Sequence, residues 1–200
     1  MLGVSWRSRR VSVAVAGAAL CLPLAAGCAT ASGESSPAAR TTTAVGAGGT
    51  VGYLEEDVQF SLQMIPHHRQ TIELAELSDG RTSNAYVRRL SEELIEDERA
   101  DITLMTSWLT SWNVSPPPEH AAGHDMPGML GKTQIAELRR RSGAPFDRMW
   151  LTLLAKHLDS GVQMAEAVQG KGMHGPTAEL AGKIITNQRE LIGEIVKQVA

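Results

Sequence analysis

The sequence aligns with itself at a shift of 90 residues without a gap, and this internal repeat restricts the folds open to the chain. Residues 57–105 and 147–195 share nine identities over 49 positions, among them His67 with His157. Apolar residues in both copies recur three, four and seven positions apart, which is the spacing of an amphipathic helix rather than a strand. Two copies of one helical hairpin that pack on each other form a four-helix bundle with a pseudo-twofold axis.

Residues that end helices divide the repeats and the segment between them into four long helices and one short helix. Aromatic residues make up only 4% of the chain, so the core has to be built from aliphatic side chains and methionine, which favours helices. Thr82 or Ser83 is predicted to cap the second helix, and Pro116 follows its end. The predicted helices cover residues 54–79, 83–112, 133–141, 146–168 and 177–199. We therefore predict an all-α fold over residues 53–200: a four-helix bundle of two repeated hairpins plus a short linker helix.

The first 27 residues have the features of an export signal. Three arginines in the first ten residues precede an uncharged apolar run that is short for a transmembrane helix. The run ends in LAAGC, which resembles a bacterial lipobox and would make Cys28 the lipid-carrying N-terminus of a protein on the outer face of the cell membrane. The alternative is cleavage after Ala31, which removes Cys28 and gives a secreted protein. Residues 28–52, rich in Ala, Gly, Ser and Thr, are predicted to form a flexible tether.

Composition excludes several classes of protein. The formal net charge is −3, so the chain lacks the basic excess of a nucleic-acid binder. Cys21 and Cys28 are the only cysteines, which excludes a zinc ribbon, an iron–sulfur cluster and a cysteine nucleophile from the folded part. No histidine has a glutamate three residues before it, so no di-iron carboxylate centre is expected. Phosphate-binding and nucleophile motifs are missing as well, and we predict a protein without catalytic activity.

Met64, His67 and His68 form the densest group of candidate metal ligands. Spacings of three and four residues place them on neighbouring turns of one helix face. Thioether and imidazole are soft to borderline donors that suit Cu(I) and can hold Cu(II). The alternative is a pair of core histidines, each hydrogen-bonded to a carboxylate of a facing helix. Glu98 and Asp101 could orient an imidazole in this way, or could belong to a solvated acidic face.

The second repeat retains only part of this group. His157 stands where the first copy has His67, but Leu154 and Leu158 replace Met64 and His68. We therefore expect no equivalent second site, and predict that His157 lends one ligand across the pseudo-twofold axis.

The loop between the repeats carries a second set of candidate ligands: His120, His124, Met126 and Met129. In a segment rich in proline and glycine, these residues resemble a copper-capture loop. The alternative is a linker whose two methionines pack on the bundle. His174, in a glycine-rich turn, is predicted to lie at the surface.

Several of these motifs resemble a bacterial family known as domain of unknown function 305. The resemblance is carried by MIPHH at residues 64–68, Ala75-Glu76, MPGM at residues 126–129, and the matching positions of the second repeat from Phe146 to Gln188. It implies a ferritin-like four-helix fold, export from the cytoplasm and, in some members, copper binding or copper tolerance. It implies no single biochemical activity.

The residues and the resemblance together favour an exported, lipid-anchored protein that binds copper through histidine and methionine. Its role would be sequestration, tolerance or hand-over of the metal, without catalysis. The alternative from another class is a metal-free structural or partner-binding helical module whose histidines are packed in the core. A copper-dependent oxidase is a third hypothesis.

Overall fold

The computed structural model describes residues 52–119 and 128–199, and within them it contains five helices and no strand. The helices are α1 Glu55–Glu76, α2 Ala85–Ser111, α3 Lys132–Arg139, α4 Gly143–Val168 and α5 Gly175–Val199. The predicted export signal, Cys28 and nearly all of the tether lie outside the described residues, as do His120, His124 and Met126. None of the described helices is long and apolar enough to cross a membrane.

The helices pair as the repeat predicts. α1 packs along α2, α4 packs along α5, and the two hairpins meet mainly through α1 and α4, with the short α3 against α4. The all-α fold, a four-helix bundle of two hairpins with a linker helix, is therefore confirmed.

Three helix starts differ from the prediction for identifiable reasons. α2 is capped by Asn84, not by Thr82 or Ser83, because the Asn84 Oδ1 accepts the backbone N–H groups of Tyr86 and Val87. α4 begins three residues earlier than predicted and α5 two residues earlier, each at a glycine followed closely by a proline. Proline is compatible with the first helical turn, where its missing N–H would have no helical partner.

A layer of buried polar side chains divides the core of the bundle into two apolar clusters. One cluster includes Leu74 and Trp150, and the Trp150 indole N–H donates to the Leu74 carbonyl oxygen at 2.7 Å. The other includes Met64 and Trp108. Each long helix contributes buried polar residues to this layer: His67, His68 and Thr71 on α1, Glu98 and Asp101 on α2, His157 on α4, and Gln188 on α5. The half-buried Ser160 of α4 borders the layer beside His67. The fold thus gathers the candidate ligands of α1 and α4 at one level.

Candidate metal centre

His67 and His157 stack face to face at the centre of the polar layer. Their rings lie 3.9 Å apart between centroids and 4° from parallel, and both side chains are fully buried. The His67 Nε2 is 3.1 Å from the His157 carbonyl oxygen, and the His157 Nε2 is 3.3 Å from the His67 carbonyl oxygen. This reciprocal contact is the pattern that a twofold axis between the two hairpins produces.

The partners of His67 determine which of its ring nitrogens carries the proton. Its Nε2 faces the His157 carbonyl oxygen and, at 3.0 Å, the Ser160 Oγ. The Ser160 hydroxyl already donates its own hydrogen to the His157 carbonyl oxygen at 2.6 Å. Because both neighbours of Nε2 are acceptors, Nε2 has to be the donor. In a neutral ring the Nδ1 then carries a lone pair.

The Nδ1 of His67 is buried and has no hydrogen-bond partner among the described residues. Gly161 on α4 leaves space beside it. A Cβ at Gly161 would lie 3.5 Å from this Nδ1 and 2.7 Å from the Oε1 of Gln188, which is also buried without a partner. Two lone-pair donors therefore lie beside Gly161, and unpaired buried polar atoms of this kind need an explanation.

Burial keeps both stacked imidazoles in the neutral form. Desolvation lowers the pKa of His67 well below its ordinary value, and the nearby imidazoles of His157 and His68 lower it further. Desolvation also lowers the pKa of His157, to about 4, although contacts with the carbonyl oxygens of Gly128 and His67 oppose the shift. A neutral imidazole is the form that binds metal ions.

His157 is held by the backbone on both sides. Its Nδ1 is 3.3 Å from the Gly128 carbonyl oxygen, and its Nε2 faces the carbonyl oxygen of His67. A neutral ring donates to only one of these oxygens, and the lone pair of its other nitrogen points at the second oxygen rather than into open space. Of the two histidines that the repeat aligns, only His67 presents a free lone pair.

His68 faces the carboxylates of α2. Its Nδ1 lies 2.5 Å from the Glu98 Oε2, which is ion-pair distance but without the direction of a hydrogen bond, and its Nε2 lies 3.9 Å from the Asp101 Oδ2. Asp101 also pairs with Lys183 of α5 at 3.1 Å. Of the two hypotheses for Glu98 and Asp101, the structure supports the one in which they orient an imidazole.

Exposure separates these two carboxylates from the rest of the acidic run. Glu98 and Asp101 are buried, whereas Glu92, Glu93 and Glu96 are exposed, as expected for a solvated face.

Met64 and the linker border the histidines from two directions. Met64 is fully buried in an apolar cluster on α1, one turn before His67 and His68. The linker returns to the bundle beside the site, since Gln70 of α1 exchanges two hydrogen bonds with the backbone of Leu130. Met129, next to Leu130, is half-buried.

His174 differs from the prediction that it lies at the surface. Only 7% of the residue is exposed, and the edges of Trp108 and Trp112 meet its ring with centroids 5.0 and 4.9 Å away. Desolvation lowers its pKa, against the opposing charge of Asp57. The prediction was wrong because the tryptophans are distant in sequence and enclose the turn only after α2 has packed.

The donor set fits a soft ion with few ligands better than a hard ion. Within residues 52–119 and 128–199 no three His, Cys, Asp or Glu side chains form a group that could hold a metal ion. What the layer offers is a buried imidazole lone pair on His67, a second imidazole on His68 and a thioether on the same helix. Cu(I) accepts such a combination, whereas Zn²⁺ in a structural site requires four ligands.

The fold and this layer define a class of protein: a bundle of two repeated helical hairpins with paired histidines buried between them. The chain belongs to the family described as Domain of unknown function (DUF305), whose sequence profile matches residues 57–198. The family predicted from the MIPHH and MPGM motifs is therefore confirmed.

Solved structures share the fold. A putative secreted DUF305 protein from Streptomyces coelicolor is 25% identical with a TM-score of 0.65, over 72% of this chain and 91% of that one. A DUF305 fragment from Deinococcus radiodurans is also 25% identical with a TM-score of 0.65, over 72% and 95%. CopM in its Cu(II)-bound form is 24% identical with a TM-score of 0.64, over 72% and 95%. No curated protein matches the chain.

Proposed function

We propose that the protein binds a copper ion in the polar layer, with the Nδ1 of His67 as its central ligand. The observation that carries the proposal is the buried lone pair on this nitrogen, fixed by the acceptors around Nε2 and left without a partner. His68 and Met64 on the same helix complete a soft donor set without a thiolate. CopM, which shares the fold, has been solved in Cu(I)-bound and Cu(II)-bound forms.

In this proposal the remaining residues of the layer support the ligands. His157 and Ser160 hold the ring of His67 through its Nε2, and the carboxylate of Glu98 lies at ion-pair distance from the ring of His68. Groups of this kind fix the tautomer and direction of a ligating imidazole and raise its basicity. His157 thus acts by positioning His67, in place of the direct ligand role suggested by its sequence position.

The biological role that follows is sequestration or hand-over of copper outside the cytoplasm, without catalysis. In this proposal the domain stands on the outer face of the cell membrane at the end of a tether of residues 28–52, and the lipobox resemblance at Cys28 supports this location. In this proposal the linker loop captures copper through His120, His124, Met126 and Met129. Gly128 of the same linker contacts the Nδ1 of His157, so this end of the linker lies next to the polar layer. A copper-dependent oxidase is the less favoured hypothesis, because the sequence carries no phosphate-binding or nucleophile motif.

Copper competition tests the proposal. Purified protein competes for Cu(I) with a chromogenic chelator, and the double variant Met64→Leu, His67→Ala is expected to lose the tight ion while circular dichroism shows that it stays helical. Met149→Leu is the matched control, since it removes a thioether at the other apolar cluster. It is expected to retain the tight ion. If the folded double variant binds copper as tightly as the parent, the core site is wrong.

The metal-free packing hypothesis is tested by the same titration. It is favoured by His157, whose two ring nitrogens both face backbone carbonyl oxygens rather than open space. It predicts that the parent protein does not compete for Cu(I) at all.

A further inference from the structure

A second cluster of soft and aromatic side chains lies at one end of the bundle, away from the polar layer. We call it the aromatic corner, and it consists of Tyr53, Trp108, Trp112, Met173 and His174. The Tyr53 ring stacks on Trp112 at 4.7 Å, and the rings of Trp108 and Trp112 lie 6.4 Å apart. The edge contacts of both indoles with His174 complete an aromatic wall around one imidazole.

Helix capping does not explain a histidine at this position. His174 directly precedes α5, and the shift of 90 residues aligns it with Asn84, which caps α2 with its side chain. The His174 ring makes no such bond to the backbone. Its Nδ1 lies 2.8 Å from the Thr177 Oγ1, and its Nε2 has no hydrogen-bond partner among the described residues.

Hydrogen bonds to one carboxylate fix the backbone of the aromatic corner. The Oδ2 of Asp57 accepts the N–H groups of Met173 at 2.9 Å, His174 at 3.2 Å and Leu54 at 2.8 Å. Gly172 permits this approach, because a Cβ there would lie only 2.1 Å from the Asp57 Oδ1. The turn before α5 and the start of α1 are thus fixed to the same carboxylate.

Met173 places a thioether at the open side of the corner. The residue is 60% exposed, although a large apolar side chain is usually covered. Its methyl group lies 3.6 Å from the position of a Cβ on Gly52, the residue before Tyr53. The thioether therefore lies on the same side of the bundle as the Tyr53–Trp112 stack that borders His174.

From this arrangement we infer that the aromatic corner is a second binding site, for a soft monovalent metal cation such as Ag(I) or Cu(I). The imidazole nitrogen of His174 and the thioether of Met173 are donors that suit such an ion. Thr177 holds the other nitrogen of the ring, as expected for a ligating histidine. The indoles of Trp108 and Trp112 pack against the imidazole and limit access of water to it.

The test is a titration of the purified protein with Ag(I), followed by tryptophan fluorescence. The titration uses the Met64→Leu, His67→Ala variant as the background, because this variant lacks the copper site proposed in the polar layer. The two proposals can therefore fail separately. In this background Ag(I) bound at the aromatic corner is expected to quench the fluorescence. Trp108 and Trp112 border the site, whereas Trp150 lies in the other apolar cluster.

Two further substitutions in the same background identify the ligands. His174→Asn installs the residue found at the aligned capping position, and Met173→Leu removes only the sulfur of an exposed side chain. Each is expected to weaken the quenching event about tenfold or more. Ag(I) quenching that neither substitution weakens, or no quenching at all, overturns the inference. Because Met173 is exposed, Met173→Leu keeps the test decisive even if His174→Asn disturbs the turn.

Discussion

Two histidines that the repeat makes equivalent differ in what their ring nitrogens contact. His67 and His157 stack on each other and contact each other's backbone. The Ser160 hydroxyl and Gly161 lie beside the ring of His67. The carbonyl oxygen of Gly128, in the linker, instead faces the Nδ1 of His157. The same residue type at matching positions therefore has two roles, one with a free lone pair and one without.

The buried histidines predict how stability depends on pH in the metal-free protein. Burial lowers the pKa of both in the folded state, to about 4 for His157, whereas in the unfolded chain it is near 6.5. Below pH 6.5 the unfolded state takes up protons that the folded state does not, so their contribution to stability is complete above pH 6.5 and is lost as the pH falls. For His157 the loss reaches about 3 kcal/mol near pH 4.

Urea unfolding at pH 7.5 and pH 4.5 measures this loss. The difference in unfolding free energy between the two pH values is expected to be smaller in His157→Gln than in the parent. An equal difference in both proteins would show that His157 does not carry the effect.

At the scale of elements, α4 has to pass α1 closely at the polar layer, and Gly161 makes this possible. A Cβ at Gly161 would lie 2.7 Å from the Gln188 Oε1 and 2.9 Å from the His67 Cε1, both closer than side chains tolerate. Gly161→Ala is expected to destabilise the protein by about 1–3 kcal/mol, because buried neighbours must move to admit the methyl group. It should also weaken copper binding, since the methyl group fills the space that His67 Nδ1 faces.

Gly193 of α5 provides the matched control. A Cβ there meets nothing within 4 Å. Gly193→Ala is therefore expected to stabilise the protein by up to about 1 kcal/mol, because alanine favours the helix. Thermal unfolding of the two variants should show shifts of opposite sign. Destabilisation of similar size in both would show that crowding at Gly161 does not carry the effect.

Sequence periodicity and the internal repeat predicted the helices and their pairing, but only part of the site. The period of apolar residues directly reports which helix face is buried, so the five helices and the burial of His67 and His68 could be predicted. Thr82, Ser83 and Asn84 can each cap a helix, and the sequence alone does not show which of the three caps α2. The enclosure of His174 and the contact of Glu98 with His68 depend on how separate helices pack, which periodicity does not specify.

The tautomer of His67 is a further property that the sequence does not contain. It follows from the carbonyl oxygen of His157 and from the direction of the Ser160 hydroxyl, both 90 or more positions away along the chain. The repeat could align the two histidines, but it could not show that only one of them retains a free nitrogen.

At the scale of the whole molecule, the proposal places a copper-binding bundle on a tether at the cell surface. Cys28 is the cysteine on which this depends. We predict that the protein fractionates with membranes and that Cys28→Ala releases it into the soluble fraction or the medium, as detected by immunoblotting. The bundle itself should be unaffected, because Cys28 lies outside the helical domain. Equal release of both forms would contradict lipid anchoring and favour a plain secreted protein.

The central claim is that the Nδ1 of His67 is a buried lone pair that binds copper. Long-range ¹H–¹⁵N correlation NMR of ¹⁵N-labelled protein measures this directly, because it reports the protonation of each ring nitrogen. The account predicts a His67 ring protonated at Nε2 in the metal-free protein, and a change in the Nδ1 shift when one equivalent of Cu(I) is added under reducing conditions. A ring protonated at Nδ1, or an Nδ1 resonance that copper leaves unchanged, would contradict it.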